Sequence, residues 1–293
     1  MQSPTTSIVI RTLNEAEHLP ALLDSLRSQT LQPDQIVLVD SGSTDSTVAI
    51  AESAGLDIVH IPPGEFTFGR ALNWGCEQAK GDVLVFVSAH VYALTNTWLE
   101  ELVAPFDDPQ VGLSYGGQTG DHRSNFAEIQ LLKRWFPDEA TNDQDTPFCN
   151  NANCAVRRSL WETTPYDESL PGLEDMAFAR DIRADGYRVA YVPSAKIAHV
   201  HEEALRQTFN RYRREALAYQ TIFGSQDMGL AQSIALAAES IAKDTRAAVR
   251  ERKFAAIGSA AGFRVAQFAG AWVGYRTNPS ASKQMVRRMY YPR

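Results

Sequence analysis

Apolar residues follow two alternating rhythms along this chain. Short β-rich runs, SIVIRTL over residues 7–13, IVLVD over 36–40, LDIVHI over 56–61 and VLVFV over 83–87, are separated by stretches with helical spacing. The clearest helix lies within residues 15–28, where Leu19, Leu22, Leu23 and Leu26 share one face. Thr44–Ala54 and residues 69–80 predict two more, the second ended by Gly81 at a C′ position. Strand, helix, strand, helix in this cadence predicts a parallel sheet covered by helices. Ligands of such sheets sit beyond the carboxyl ends of the strands, where Asp40 and the tripeptide Ser88-Ala89-His90 fall.

The second half is less regular. VGLSYGG (111–117) predicts a strand entering a glycine turn, and residues 118–148 a helix with polar loop. A strand over 151–158, a helix over 173–187 with an acidic first turn, and strands over 188–192 and 195–201 follow. From about Leu205 the pattern is helical, with further helices over 235–249 and 254–275. The expected division is an α/β domain over residues 1–205 and a helical region over 206–293.

Composition narrows the class without naming a chemistry. The 293 residues are 44% hydrophobic and 22% charged, as in globular proteins. Neither a basic leader with an apolar run nor a bilayer-length apolar segment is found, so a cytoplasmic protein is expected. The three cysteines, Cys76, Cys149 and Cys154, have no usual zinc spacing and read as reduced packing residues. The net charge of −7 hides an asymmetry: residues 206–293 carry fifteen Lys/Arg against five Asp/Glu, or +10, which leaves −17 for the rest. The acidic part argues against nucleic acid as a partner. The basic part suits phosphates, an anionic membrane surface or the acidic part itself.

Several constellations could carry chemistry. Asp40 reads equally as a turn aspartate or as a ligand for a base or ribose. His199 and His201 alternate along one strand and face one side, where they could share a metal. Glu174 and Asp175 suit a positive helix N-terminus, or supply a general base. Asn151 and Asn153, in the loop that opens at Asn150, could bind acceptor hydroxyls or simply make turns. Trp135, Phe136 and Pro137 fit a loop anchor better than a sugar-stacking platform.

Taken in order, the segments resemble the inverting glycosyltransferases of family 2 with the GT-A fold. The resemblance runs from SIVIRTLNEAEHLPALLDSL through LVDSGSTDST, GRALNWGCEQAKGDVLVFVSAH, NNANCAVRRSLWE and YDESLPGLEDMAFARDIRADGYRVAYVPSAKIAHVH into RYRRE. That is most of residues 7–215, and within the family it looks most like bacterial rhamnosyltransferase-like enzymes. It implies an α/β GT-A fold with a mostly parallel central sheet and a C-terminal helical extension. It further implies a nucleotide-diphosphate sugar as donor and a glycan, lipid-linked or small-molecule acceptor, in polysaccharide or glycoconjugate biosynthesis.

Carried over residue by residue, Thr12, Asn14, Glu15, Asp40, Arg70 and Asn73 would line the donor nucleotide. Asp175 would be the catalytic base, supported by Glu174. Ser88, Ala89 and His90 stand where the family carries DxD, whose last Asp binds Mn or Mg. With His90 in that place, a divalent cation would be held by His90 and by His199 or His201, or else His90 would bond the diphosphate directly. The altered motif also leaves open a nucleotide-sugar-binding protein without turnover. A nucleotidyltransferase ranks below both, because RTLNEAEH is not its glycine-rich, basic loop. The C-terminal helices are expected to pack on the catalytic domain, to join two copies, or to dock peripherally on the inner face of a membrane.

Overall fold

The computed structural model of the protein describes residues 4–62, 64–224 and 228–278. In chain order, β1 (Thr6–Thr12), α1 (Leu19–Arg27), β2 (Gln35–Asp40), α2 (Thr47–Ser53), β3 (Asp57–His60), α3 (Phe68–Gln78) and β4 (Val83–Ser88) alternate as the pattern predicts. Then come β5 (Val91–Ala93), α4 (Trp98–Val103), a 3₁₀ turn (Ala104–Asp107), β6 (Val111–Thr119), α5 (Phe126–Trp135) and β7 (Asn153–Arg157). They are followed by α6 (Arg158–Thr163), α7 (Glu174–Ala184), β8 (Arg188–His199), α8 (Leu205–Phe223), α9 (Leu230–Arg250) and α10 (Ala256–Tyr275). The chain forms two compact units: one of residues up to 119, 136–169 and 174–199, the other of 120–135, 170–173 and those from 200 onward. The helical unit therefore recruits α5 from the middle of the chain. Residues 279–293 of the expected helical region lie outside the described residues.

The first unit is built on one eight-stranded sheet, in the order β3-β2-β1-β4-β7-β6-β8-β5. β1 to β4 pair in parallel, as do β6 and β8, whereas β7 runs antiparallel to both β4 and β6, and β5 antiparallel to β8. Ile8, Ile10, Leu38 and Val85 pack with Leu19, Leu22 and Leu26 of α1 in a buried core. β1 and β4 are buried almost end to end, which is why they read as unbroken apolar runs.

Three local features differ from the sequence reading. Helix α1 begins at Leu19, because the amides of Asn14, Glu15 and Ala16 bond Ser43 Oγ, Thr47 Oγ1 and Asp45 Oδ2 instead of starting a helical ladder. Gly81 is no C′ residue: α3 ends at Ala79 in extended backbone, and a Cβ on Gly81 would lie 2.5 Å from the Ser7 amide nitrogen. The two last strands are one strand, β8, whose pairing with β6 shifts register between Gly116 and Gln118 and so absorbs Pro193 and Ser194; it ends at His199, so His201 does not share a strand with His199 as the alternation predicts.

The helical unit packs α5, α8, α9 and α10 around Phe126, Leu131, Tyr212, Ala248 and Phe263. Arg264, which interrupts the apolar 254–275 segment, points inward and is 1% exposed. Its guanidinium donates to Asp244 Oδ2 (2.7 Å) and Oδ1 (3.2 Å), to Gln267 Oε1 (2.9 Å) and to the Ala127 carbonyl (3.0 Å). Each of its three guanidinium nitrogens thereby has an acceptor, which offsets the cost of burying the charge. Among the described residues, no helix is long and apolar enough to cross a membrane.

Candidate active site

Sheet register explains which side chains meet. Thr12 pairs with Asp40 and Arg11 with Ser88, so the ends of β1, β2 and β4 are level. The loops after β1 and β2 are then locked together: Asn14, at φ 56°, accepts the Thr44 amide on its Oδ1 (2.7 Å). Asp40 is 3% exposed and accepts the amides of Gly42 and Ser43, the turn role that its position allows. Thr12 is buried and donates to the Val39 carbonyl.

His90 follows β4 at a short turn, and the next residue, Val91, pairs with His199 across β5 and β8. That register brings the two imidazoles together with their Nε2 edges meeting, ring centroids 5.0 Å apart and planes 20° from parallel. His90 Nδ1 lies 2.8 Å from Glu15 Oε1, and His199 Nδ1 2.9 Å from Gln118 Oε1. Oxygen acceptors on both Nδ1 atoms assign the protons there and turn the two Nε2 lone pairs toward each other at 3.1 Å. Two facing lone pairs repel unless a proton or a cation lies between them. Cis ligands at about 2.1 Å from one ion are themselves about 3 Å apart. The donor set therefore fits a cation.

In the helical unit, His201 has its Nδ1 2.9 Å from Glu128 Oε1, and Arg211 Nη2 donates to the same oxygen at 2.7 Å. Burial pushes the Glu128 carboxyl up, but the bonds and charges of His201 and Arg211 outweigh it and hold it down to about 2. Imidazole Nδ1 anchored on a carboxylate is also the arrangement that orients metal-binding histidines. His201 further lines a polar cavity of about 950 Å³ with Asp121, Arg123, Asn125, Glu202 and Lys253.

The acidic pair opens α7. Because β7 runs antiparallel to β4, Asn153 stands opposite Val87, so the Asn150–Ala152 loop lies at the carboxyl end of β4. From that loop the Asn151 amide donates to Asp175 Oδ2 (3.1 Å), which brings the acid to the same end of the sheet. Asp175 Oδ1 accepts the Met176 amide (2.8 Å). Burial pushes its carboxyl up and the neighbouring Glu174 adds to this; the two amides and Arg11 pull back, leaving it at about 7. Glu174 is 5% exposed and accepts Arg11 Nη1 at 3.1 Å.

Not every candidate has polar atoms to spare. Asn153 is wholly buried; its Oδ1 accepts Trp98 Nε1 (2.9 Å) and its Nδ2 donates to the carbonyls of Gly117 (3.0 Å) and Ala195 (2.8 Å). That saturated amide ties α4, β6 and β8 to β7. Asn73 is similarly spent on Tyr166, Glu168 and Trp161, whereas Arg70 bonds Glu168 and the Glu65 carbonyl through Nε and Nη1 and keeps donors to spare on a partly exposed side chain. Asn151 is the opposite case: 2% exposed, with no hydrogen-bond partner among the described residues for either side-chain polar atom. Trp135 is 40% exposed and Phe136 buried, the anchor alternative for Phe136.

Arg11 is the residue that sequence reasoning passed over. The available signal was a guanidinium inside an otherwise apolar strand, which burial makes costly without an acid to meet it.

Comparison with known proteins identifies the family and the fold. The sequence profile described as Glycosyl transferase family 2 matches residues 7–164. The chain is 28% identical over 220 residues to the O-antigen chain rhamnosyltransferase RfbN of Salmonella typhimurium, covering 70% of this chain and 69% of RfbN. It is 32% identical over 199 residues to the O-antigen chain rhamnosyltransferase WbaN of Salmonella anatum, covering 64% of this chain and 63%, under two thirds, of WbaN. Among solved structures, the mannosyltransferase PcManGT from Pyrobaculum calidifontis, in complex with GDP-Man and Mn2+, superposes with a TM-score of 0.63 at 20% identity, covering 95% of this chain and 88% of that one. S. aureus TarS 1-349 in complex with UDP gives 0.55 at 16% identity, covering 93% and 90%. These two structures share the fold.

Proposed function

We propose, for a chain that belongs to glycosyl transferase family 2 and is a glycosyltransferase, that it moves a sugar of the rhamnosyl class from a nucleoside-diphosphate donor to a hydroxyl of a growing polysaccharide, with inversion. The observation that carries this reading is Asp175: a buried carboxyl at the carboxyl end of the sheet, pushed up to about 7 and therefore poised to take a proton near neutral pH. Asp175 removes the proton of the acceptor hydroxyl as that oxygen attacks the anomeric carbon from the face opposite the diphosphate. One bond forms as the glycosyl–phosphate bond breaks, so a single displacement inverts the centre. Asn151, whose side-chain polar atoms lack partners beside Asp175, is the acceptor ligand in this reading. Thr12, Asn14, Glu15, Asp40 and Ser88 shape the donor pocket, with Arg70 and Asn73 holding its wall.

His90 and His199 would hold a divalent cation, Mn or Mg, through their Nε2 atoms, and His201 carries the same carboxylate anchoring. Such an ion supplies Lewis-acid stabilisation to the departing diphosphate. Nitrogen ligands bring no charge of their own, so the donor diphosphate supplies the negative charge at the site. The mannosyltransferase neighbour solved with GDP-Man and Mn2+ supports this donor chemistry. The acceptor is an O-antigen-like glycan on the precedent of RfbN and WbaN. The basic excess of residues 206–293 would place the enzyme on an anionic membrane surface, an arm that binding to anionic vesicles at low salt tests.

Calorimetric titration with UDP, dTDP and GDP, each with and without Mn, tests the donor site. Binding of one nucleotide that requires Mn is the expected result. No binding of any nucleotide, with sugar transfer absent, would leave a fold without this activity.

A further inference from the structure

Among the described residues no cation is bonded to the carboxyl oxygens of Asp175; both accept backbone amides. The charged neighbour is one residue away, where Arg11 meets Glu174 at 3.1 Å. Arg11 is held rigidly. Its backbone sits between Val39 of β2 and Ser88 of β4 in the centre of the sheet, and its guanidinium carbon lies 5.3 Å from the centre of the Phe68 ring. The groups facing Asp175 are Glu174 from α7, Arg11 from β1, Cys149 from the loop before β7 and Tyr166 from the loop before α7. Burial pushes Cys149 and Tyr166 well above their ordinary ranges, so both are neutral at working pH. The charge felt by Asp175 therefore comes from one carboxylate and one guanidinium of opposite effect.

We propose that Arg11, acting through its ion pair with Glu174, is a positioning residue that sets the pH at which Asp175 becomes the base. This rests on the reading of Asp175 as base. Glu174 raises the cost of ionising Asp175, and Arg11 offsets part of that cost while its 3.1 Å bond holds the Glu174 carboxylate in place. Without Arg11 the base would stay protonated into the alkaline range. Without Glu174 it would ionise earlier and lose activity less at acid pH.

The test is the pH profile of kcat/KM for sugar transfer in the full chain, comparing wild type with Arg11→Met, Arg11→Lys and Glu174→Gln. A ¹³C NMR titration of labelled aspartate carboxyls, with the Asp175 signal assigned by its loss in Asp175→Asn, reads the same group without turnover. The acid limb is expected near pH 7 in the wild type, about one pH unit higher in Arg11→Met and lower in Glu174→Gln, with Arg11→Lys close to wild type. The opposite signs exclude a general loss of structure, and Glu174→Gln serves if Arg11→Met does not fold. Arg11→Met and Glu174→Gln moving the limb the same way, or leaving it in place, overturns the role of Arg11. Full turnover in Asp175→Asn instead overturns the base itself.

Discussion

Two buried carboxylates, one in each unit, have been driven in opposite directions. Asp175 is pushed up to about 7, whereas Glu128 is held down to about 2, although both are less than a tenth exposed. Burial alone would raise both, so partners decide. Glu128 has a guanidinium and an imidazole on its carboxylate; Asp175 has two backbone amides and a second acid beside it. The difference teaches that a buried acid with charge compensation stays ionised as an anchor, whereas one left under-compensated can take up a proton near neutrality, as the proposed base must. The Arg264–Asp244 pair, with four donor contacts answered, belongs to the first kind.

The largest expected effect breaks the catalytic side of this comparison. Asp175→Asn is expected to lower turnover by about 10²–10⁴-fold, measured as sugar transfer at saturating donor. Its thermal midpoint should stay level or rise, because a costly buried acid has been removed. A fall in stability equal to the fall in activity would mean that Asp175 is an anchor after all.

Next comes the anchor. Arg211→Met leaves Glu128 with His201 and without its guanidinium, and should cost about 3–5 kcal/mol in urea unfolding. An effect below about 1 kcal/mol would show the carboxylate to be satisfied by His201 alone.

The third prediction sets the two acids against each other by pH. Glu128 has a folded value below its ordinary 4.5, so it contributes stability that is present above 4.5 and lost as pH falls toward about 2. That amounts to about 3 kcal/mol by linkage. Asp175 has the opposite sign: its folded value lies above 3.8, so its cost is fully present above about 7 and is relieved as pH falls from 7 toward 3.8. Unfolding free energy measured across pH 2–9 should therefore lose, in Asp175→Asn, the decline that accompanies a rise in pH from 3.8 to about 7, and keep the acid decline that Glu128→Gln removes.

Much of the frame was readable before any coordinates. Leu19, Leu22, Leu23 and Leu26 do form the buried face of α1, and VLVFV is β4 with Ser88 at its end. What failed to show was whatever has too little period or too much reach. β5 is three residues long, too short to display alternation, yet its pairing of Val91 with His199 is what aligns the two imidazoles. Pro193 and Ser194 suggested a break between two strands, and only the register shift at Gly116 and Gln118 shows how one strand passes them. Arg11 and Glu174 are separated by 163 positions, and α5 joins helices that begin 70 residues later. No local pattern encodes such meetings, because they are set by which strands become neighbours.

The smallest effects sharpen the contrast at two asparagines that sequence alone treats alike. Asn153 closes three buried hydrogen bonds, and Asn153→Ala would leave Trp98 Nε1 and the carbonyls of Gly117 and Ala195 unanswered. That should cost about 1–3 kcal/mol in unfolding free energy, with donor affinity unchanged in whatever protein remains folded. Asn151 closes no side-chain bond among the described residues. Asn151→Ala is therefore expected to shift stability by no more than about 0.5 kcal/mol, upward if in any direction, since it deletes two buried polar atoms without partners. Its effect should appear in the KM for acceptor if those atoms meet the acceptor hydroxyl as proposed. If Asn151→Ala instead unfolds the protein as readily as Asn153→Ala while leaving acceptor KM untouched, Asn151 is structural and its neighbour Asp175 must orient the acceptor without it.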